Sequence, residues 1–443
     1  MTTLVLRADA TPAIGVGHLS RCVALAAAAR ARGWDVALCG SVTAGEWLLG
    51  DLPLVPDLRT ADVVVVDHYG LGALSLDVPV VSMEDGPFGR RRADVVVDAN
   101  LAPSDRPDDG SPLVLRGPEY APLRAEVRAA RAHRRAGATP PNVVVVMGGG
   151  AVGEPVAAAL TALRDTGAPV SVRAITSADV PAPEPADGQR FAVTGPTTGL
   201  PALFADADLV VSAAGVTLLE LCCVGAPTAL VRVADNQAAG YRAAVDRGLV
   251  AGLGADPGEH VTELRELLLD PARRDALAAV AKATVDGRGA DRILDALGLD
   301  PTVRPATDAD AELLLSWRND PRTRAWSRTT DVVTTADHRD WLARVLADPD
   351  RRLFVAEHGG RPVGTVRFDR ESGRTWEVSI TVAPEARGRG LAVPVLLAAE
   401  RALDAAAEVT AIHANVHRDN AASQALFRRA GYHPDRPGWL VKP

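Results

Sequence analysis

The chain opens on a short apolar run closed by polar residues, TTLVLRADA (2–10), then a glycine-rich turn and an alanine-rich stretch that Gly33 stops. That order predicts strand, turn and helix, with a second strand in WDVALCG. Further apolar runs are continuous rather than alternating: VVVVD (63–67), PVVSM (79–83) and ADVVVDAN (93–100). Uninterrupted β-branched runs fit a parallel sheet buried on both faces. Strands that alternate with helices imply βαβ units and a doubly wound fold. The stretch 125–141 is polar, basic and bounded by proline, and reads as a connection. The βα alternation restarts at NVVVVMGGG (142–150) and runs through VSVRAIT, FAVTG, DLVVSAAG and PTALVRV to helices ending near 298. Two such halves predict two lobes with a cleft between them. Ligands of open α/β sheets sit at the carboxyl ends of strands, where Gly15–His18, Gly148–Gly150 and Ala213–Thr217 fall.

The segment LGLDPTVRPATDAD (297–310) reads as a linker, and after it the pattern changes to period two. LFVAEHGGRPVGTVRFDRESGRTWEVSITVAP (353–384) predicts antiparallel strands turning at Gly359–Gly360 and Ser372–Gly373. A glycine–arginine loop, a long helix, the strand AIHANV and a last helix follow. The expected architecture is α/β: two Rossmann-like lobes, 1–140 and 141–298, and an α+β domain, 299–443.

Composition narrows the classes of partner. Of 443 residues, 47% are hydrophobic and 23% charged, enough to bury sizeable cores, and the formal charge of −8 argues against an unassisted grip on nucleic acid or an anionic membrane. The four cysteines, Cys22, Cys39, Cys222 and Cys223, lack CxxC or zinc spacing. That predicts a reduced, cytoplasmic chain. No apolar run of membrane-spanning length and no signal-peptide pattern is visible, and histidines and carboxylates do not cluster with ligand spacing, so no metal is expected. Oligomeric state is left open.

The most specific string is VAPEARGRGLAVPVLLAAERAL (382–403). A strand ends at Val382–Pro384, a loop carries Arg387, Gly388, Arg389 and Gly390, and a helix begins at Leu391 and Ala392. Glycine allows close backbone approach, and the free N–H groups of a helix start favour a pyrophosphate. Asn415 stands on the next strand, followed by Asn420, Ser423, Phe427, Gly431 and Tyr432. Taken together, this order resembles the GNAT N-acetyltransferase family over about 299–443. The resemblance implies an acetyl-CoA cosubstrate, its pyrophosphate on backbone N–H groups of 387–392 and its acetyl carbonyl at the end of the preceding strand. Glu377, in WEVSITV, stands where the family often has a carboxylate base; a solvated or paired charge is the other reading. Phe427 stands where many members have a tyrosine acid, and phenylalanine cannot donate a proton. Tyr432 is expected to be structural. Trp317, Arg318, Asn319 and Arg324, in LLLSWRNDPRTRAWS (313–327), resemble members that acetylate nucleotide-linked amino sugars or protein N-termini. Arg318 and Arg324 would pair with phosphates, and Trp317 either contacts the acceptor or packs in the core.

The N-terminal string is Arg7, Asp9, Gly15, Gly17, His18, Arg21 and Cys22: a strand end, a glycine turn and a histidine at a helix mouth. A helix start disfavours imidazolium, so a neutral His18 could take a proton from water. With Asp67-His68-Tyr69, Glu84-Asp85, Asp98-Ala-Asn100, Gly117…Arg124 and Met147-Gly148-Gly149-Gly150, this part resembles the UDP-2,4-diacetamido-2,4,6-trideoxy-β-L-altropyranose hydrolases of pseudaminic acid synthesis, over about 1–298. Gly215, Val216, Thr217, Glu220, Asn236 and Gln237 also resemble the UDP-sugar site of GT-B glycosyltransferases. That resemblance implies phosphates at 213–217 and ribose at Glu220. The family more often has Gly and Ser where this chain has Ala214 and Val216. By resemblance His18 is the base that activates water, Tyr69 helps to position sugar or water, and His68 is a rival base. Asp9 and Arg21 are expected to shape the turn and, with Arg7, Gly15, Gly17, Gly148 and Gly149, to belong to the UDP-sugar site.

The two resemblances assign consecutive reactions. The chain reads as a bifunctional nucleotide-sugar enzyme that N4-acetylates a UDP-4-amino-4,6-dideoxy-2-acetamido sugar and then releases UDP with inversion at the anomeric carbon. The alternatives are a GT-B glycosyltransferase fused to an acetyltransferase, or one domain that only binds nucleotide sugar.

Overall fold

The computed structural model describes residues 2–103, 105–135, 137–148 and 152–443. Contacts divide the chain into two compact units: one holds 3–28 and 36–296, the other 1–2, 29–35 and 297–443.

The larger unit is built on two six-stranded sheets. The first contains β1 (Thr3–Arg7), β2 (Asp35–Cys39), β3 (Val63–Val66), β4 (Val80–Glu84), β5 (Val95–Asp98) and β6 (Leu113–Arg116), in the order β2-β1-β3-β4-β5-β6. The second contains β7 (Asn142–Val146), β8 (Val170–Ile175), β9 (Gln189–Thr194), β10 (Leu209–Ala213), β11 (Thr228–Val231) and β12 (Ala251–Gly252), in the order β12-β11-β10-β7-β8-β9. All its pairings are parallel. All four valines of β3 are buried, but the expected alternation of strands with helices fails in this lobe: among the described residues no α-helix lies between β2 and β6, and the face carrying Val64 and Val66 is covered by loop residues, among them Val55, Leu58, Leu71, Leu74 and Val78. Order reverses at β1 and at β7, and the turn at Gly15 after β1 and Gly148 after β7 lie at such switch points.

The connection expected at 125–141 contains a helix, Ala125–Ala132. Val127 and Ala130, three apart, face inward and join a core with Leu218 and Leu221 of the second lobe. Arg131 donates to the carbonyls of Cys223, Lys282 and Val285 at 2.9–3.0 Å. A second helix, Gly289–Asp295, makes the reverse crossing. Any Cβ on Gly289 would fall 2.2 Å from the Ala121 carbonyl oxygen, and Arg292 donates to the Glu119 carbonyl at 2.7 Å. Each lobe is thus completed by a helix from the other's stretch of sequence.

The smaller unit has one seven-stranded sheet: β13 (Thr302–Pro305), β14 (Arg351–His358), β15 (Arg361–Ser372), β16 (Thr375–Val382), β17 (Ala411–Asn415), β18 (His433–Arg436) and β19 (Trp439–Lys442), in the order β13-β14-β15-β16-β17-β19-β18. Only β16 and β17 run parallel. Alternation along β16 buries Trp376 and Val378 in the core that also takes Val395, Leu396 and Leu403 of the helix Ala392–Ala406. The segment 29–35 belongs here because Arg32 and Trp34 donate to the two oxygens of Asp300 at 2.9 and 2.8 Å. The long-range pairing explains why a break read at 299 from local texture omits it.

At the entry to this unit Arg304 donates twice to Asp310, at 2.9 and 2.7 Å, and the Thr307 N–H donates at 2.8 Å. The Arg304 bonds, aided by Thr307 and against the effect of burial, lower the Asp310 carboxyl to about 2. A depressed carboxyl contributes stability that is complete above its unfolded pKa of about 4 and is lost as pH falls through the folded value. We expect Asp310→Asn to cost ~1–2 kcal/mol at pH 7. In urea titrations, its deficit against wild type should shrink between about pH 4 and pH 2.

Candidate functional site

In the smaller unit, β16 pairs with β17 only over Thr375–Glu377, opposite Ala411–His413. From Val378 to Val382, β16 has β15 on one side only among the described residues. The parallel strands splay, which leaves backbone donors and acceptors of β16 facing a cavity of about 1160 Å³. The loop after β16 turns at Gly388 and Gly390, whose φ values of 76° and 75° suit glycine. A Cβ on either would meet nothing within 4 Å. The helix Ala392–Ala406 starts without a side-chain cap, so its first N–H groups open toward the same cavity.

Val382, Arg387, Gly388, Gly390, Leu391, Ala392, Asn415, Asn420, Ser423 and Phe427 all line this cavity, as do Glu377, Trp317 and Arg318. Arg387 is held on the protein: it donates to Asp320 and to the Thr323 hydroxyl, each at 2.7 Å. Backbone N–H groups are therefore the loop's available ligand donors. Arg389 is exposed and stands outside the lining. Asn420 caps the helix Ala421–Arg429 by accepting from the Ser423 N–H at 3.0 Å. Phe427 lies edge-on to Tyr432, with centroids 5.0 Å apart. The Tyr432 hydroxyl donates to buried Glu400 at 2.7 Å, and burial, then Glu400, raises its pKa. Tyr432 is thereby removed as a proton donor to the cavity.

The cavity is rich in cations. Arg318, Arg322, Arg328, Arg367, Arg387 and Arg429 line the cavity against Asp369 and Glu377. Arg328 donates to Glu377, so that carboxylate is already paired with a guanidinium. Arg318 braces Thr329 through Nη2, while its Nη1 is buried with no described partner. Asn319 and Arg324 are placed differently from the sequence expectation. Asn319 exchanges two bonds with the backbone of Val333, and Arg324 donates to the Thr330 carbonyl. Both hold the 318–333 loop in place from outside the lining. Trp317, 2% exposed, packs in the core and borders the cavity. Arg322, Arg328, Arg367 and Arg429 were not singled out from sequence; the arginine density of 318–328 was the available signal.

In the larger unit, His18 is the second residue of the helix Gly17–Arg30, which follows the turn at Gly15. Gly17 is close to the second lobe: a Cβ there would lie 3.7 Å from Val216 Cγ2. His18 Nδ1 lies 2.6 Å from Asp67 Oδ1. Arg21 donates to both oxygens of the same carboxylate at 2.7 Å. Burial alone would raise the Asp67 carboxyl, but Arg21 and His18 together hold it below its ordinary value. Tyr69 meets His18 edge-on, with centroids 4.4 Å apart. Its hydroxyl donates to Asp85 at 2.6 Å, and Asn100 braces Asp85 at 2.9 Å. Burial, then Asp85, raises the Tyr69 pKa, and the hydroxyl is engaged by Asp85.

Arg7 and Asp9 pair with each other, and Asp9 also accepts from the Ser41 N–H at 2.8 Å. The Arg7 bond is the leading reason the Asp9 carboxyl falls to about 2. His68 is locked in this set. Its Nδ1 accepts from the Gly70 N–H at 3.0 Å, so its Nε2 carries hydrogen toward Asp9 at 3.0 Å. Neither nitrogen retains a lone pair for a substrate. In the second lobe, Gly148 adopts φ 87°, and Gly215 precedes the uncapped helix Val216–Val224, leaving Val216 exposed and Thr217 in its first turn. Glu220 is buried on Arg124 at 3.3 Å, and burial raises its pKa. Gln237 accepts from the Val233 N–H. Gly149 and the side chain of Asn236 lie outside the described residues. Asp67, Asp85 and Asn100 were legible as motif letters, but their partners were not. Among the described residues no group of three metal-ligating side chains is close enough to hold an ion, and no helix is long and apolar enough to cross a membrane.

Residues 302–433 match the family model of the acetyltransferase (GNAT) domain. The C-terminal part of the chain is a GNAT acetyltransferase domain, an enzyme domain for acetyl-CoA-dependent N-acetylation. Among solved structures, similarity is found to the aminoglycoside acetyltransferase AAC(6')-Ib in complex with coenzyme A and kanamycin, at 21% identity and TM-score 0.29, over 32% of this chain and 94% of that one. A ribosomal-protein-alanine N-acetyltransferase from Brucella melitensis is 27% identical, with TM-score 0.27, over 32% of this chain and 98% of its own. A spermidine N-acetyltransferase from Vibrio cholerae, in complex with CoA and spermine, is 20% identical, with TM-score 0.29, over 31% and 83%.

Proposed function

We propose that the chain is a cytoplasmic, bifunctional nucleotide-sugar enzyme of nonulosonic acid synthesis, with two GT-B-like lobes at 1–140 and 141–298 and the acetyltransferase at 299–443. The acetyltransferase cavity takes acetyl-CoA along the open edge of β16 and at the glycine loop, with the pyrophosphate on the uncapped helix start. Its acceptor is the 4-amino group of a UDP-linked 4-amino-4,6-dideoxy-2-acetamido sugar. Arg318, Arg322 and Arg429, lining arginines with no described carboxylate partner, support an anionic, diphosphate-bearing acceptor. Glu377 is placed to take the amine proton once Arg328 moves from it.

The lobes then hydrolyse the diacetamido product. His18 accepts a proton from water as the water oxygen bonds to the anomeric carbon; the C1–O bond breaks, UDP leaves as the anion, and configuration inverts. The carrying observation is the contrast between two neighbouring histidines. His68 has both nitrogens engaged, whereas His18 Nε2 has no described partner and its ring is held at the turn by Asp67 and Tyr69.

The test is NMR of the products formed from the UDP-4-amino sugar with acetyl-CoA and the full chain. Free 2,4-diacetamido sugar and UDP in equal amounts are expected. UDP release that waits for an added sugar acceptor would identify a glycosyltransferase, and acetylation alone would leave the lobes as a binding module.

A further inference from the structure

We infer that Asp67, clamped by Arg21, is the positioning residue that fixes the His18 tautomer and leaves Nε2 as the ring's proton acceptor. The inference rests on His18 being the hydrolytic base. Asp67 is fully buried at the carboxyl end of β3, where its own N–H donates to the Arg7 carbonyl at 2.9 Å. Its two oxygens receive three side-chain contacts: Arg21 Nε on Oδ2, and Arg21 Nη2 and His18 Nδ1 on Oδ1. At 2.6 Å from a carboxylate oxygen, Nδ1 must carry hydrogen, since two lone pairs would repel. A neutral imidazole protonated on Nδ1 has its only lone pair on Nε2. Arg21 Nη2, also 3.0 Å from Nδ1, reaches that nitrogen by sharing the carboxylate rather than by donating to the ring.

Two helical neighbours thus converge on one acid. Arg21 lies three residues after His18 on the same helix, so one helical turn presents both to Asp67. A buried carboxylate with one partner carries a large desolvation cost, and the second, bidentate partner offsets it and fixes the oxygens in a plane. The other ionisable groups packed around this set are Tyr69, Cys22, Asp85 and Arg91. During hydrolysis the proton taken from water arrives at Nε2, and Asp67 stabilises the imidazolium without accepting the Nδ1 proton.

The test combines kinetics with a readout that needs no turnover. In full-length protein labelled with ¹⁵N-histidine, the His18 ring signals, assigned by their loss in His18→Gln, are expected to report hydrogen on Nδ1 and a bare Nε2. Hydrogen on Nε2 with a bare Nδ1 in the wild type, at a pH where the ring is neutral, overturns the inference outright, whether or not any variant folds. Asp67→Asn is expected to reduce UDP release from the UDP-diacetamido sugar by about 100-fold or more, to displace the pH–rate profile, and to leave UDP affinity within about threefold. A folded Asp67→Asn protein with wild-type rate and profile overturns it. If wild type releases no UDP, the hydrolase reading fails, while the ¹⁵N signals still decide whether Asp67 sets the tautomer.

Discussion

His18→Gln is expected to slow release of UDP from the diacetamido sugar by about 10³-fold, within the 10²–10⁴ range for loss of a general base. Glutamine approximates the reach of the ring, and its amide oxygen can occupy the position of Nε2, but it cannot hold a proton there. Binding contacts proposed for UDP lie elsewhere, at Gly215–Thr217 and Glu220 on the second lobe. UDP affinity measured by calorimetry should therefore stay within about threefold, and acetyl transfer on the same polypeptide should be unchanged. Loss of both activities together would indicate unfolding, and an unaltered hydrolytic rate would return the role to another group. His68 is a poor substitute, because freeing either nitrogen requires breaking a bond to Gly70 or to Asp9.

Gly390→Val is expected to lower coenzyme A affinity by about 100-fold. Two effects combine. A β-branched residue at φ 75° carries strain of roughly 1–2 kcal/mol. Its methyl groups would also occupy the space in front of the loop, where nothing lies within 4 Å of a Cβ and a pyrophosphate would approach the N–H groups. The control is Gly359→Val, in the β14–β15 turn at φ 57°, which carries comparable strain in open space. Both variants should melt a few degrees lower, but only Gly390→Val should lose coenzyme A in a calorimetric titration. Equal losses from both would place the effect in folding rather than at the loop.

Much of the fold was written in local pattern. Four consecutive buried valines in β3 and the alternation of Trp376, Glu377, Val378 and Ser379 in β16 follow directly from whether one or both faces of a sheet are covered. The glycine loops were legible because left-handed backbone leaves a residue-type signature. The helix Ala125–Ala132 was not, since its arginines make it look solvated; Arg131 instead spends its guanidinium on buried carbonyls, which no charge count reveals. At the sites, strand-end and helix-start residues were found, but their partners were not. Asp67 is 49 positions from His18 and Asp85 is 16 from Tyr69, distances over which sequence carries no geometric information. The same gap explains Arg324 and Asn319. Residue type suggested ligand contacts, yet the nearest acceptors were carbonyls of their own loop.

The reciprocal helices bear on how the protein is made. As the ribosome extends the chain, Ala125–Ala132 emerges before the Leu218 and Leu221 surface that covers it, and the first lobe waits for Gly289–Asp295. That helix is about 160 residues further on, which at ~5–20 residues per second is roughly ten to thirty seconds of synthesis. For that interval the segment 118–121 of the nascent first lobe lacks the helix that packs on it. Pulse-labelled translation arrested before residue 289 should therefore yield chains that bind holdase chaperones, and arrest well beyond residue 298 should not.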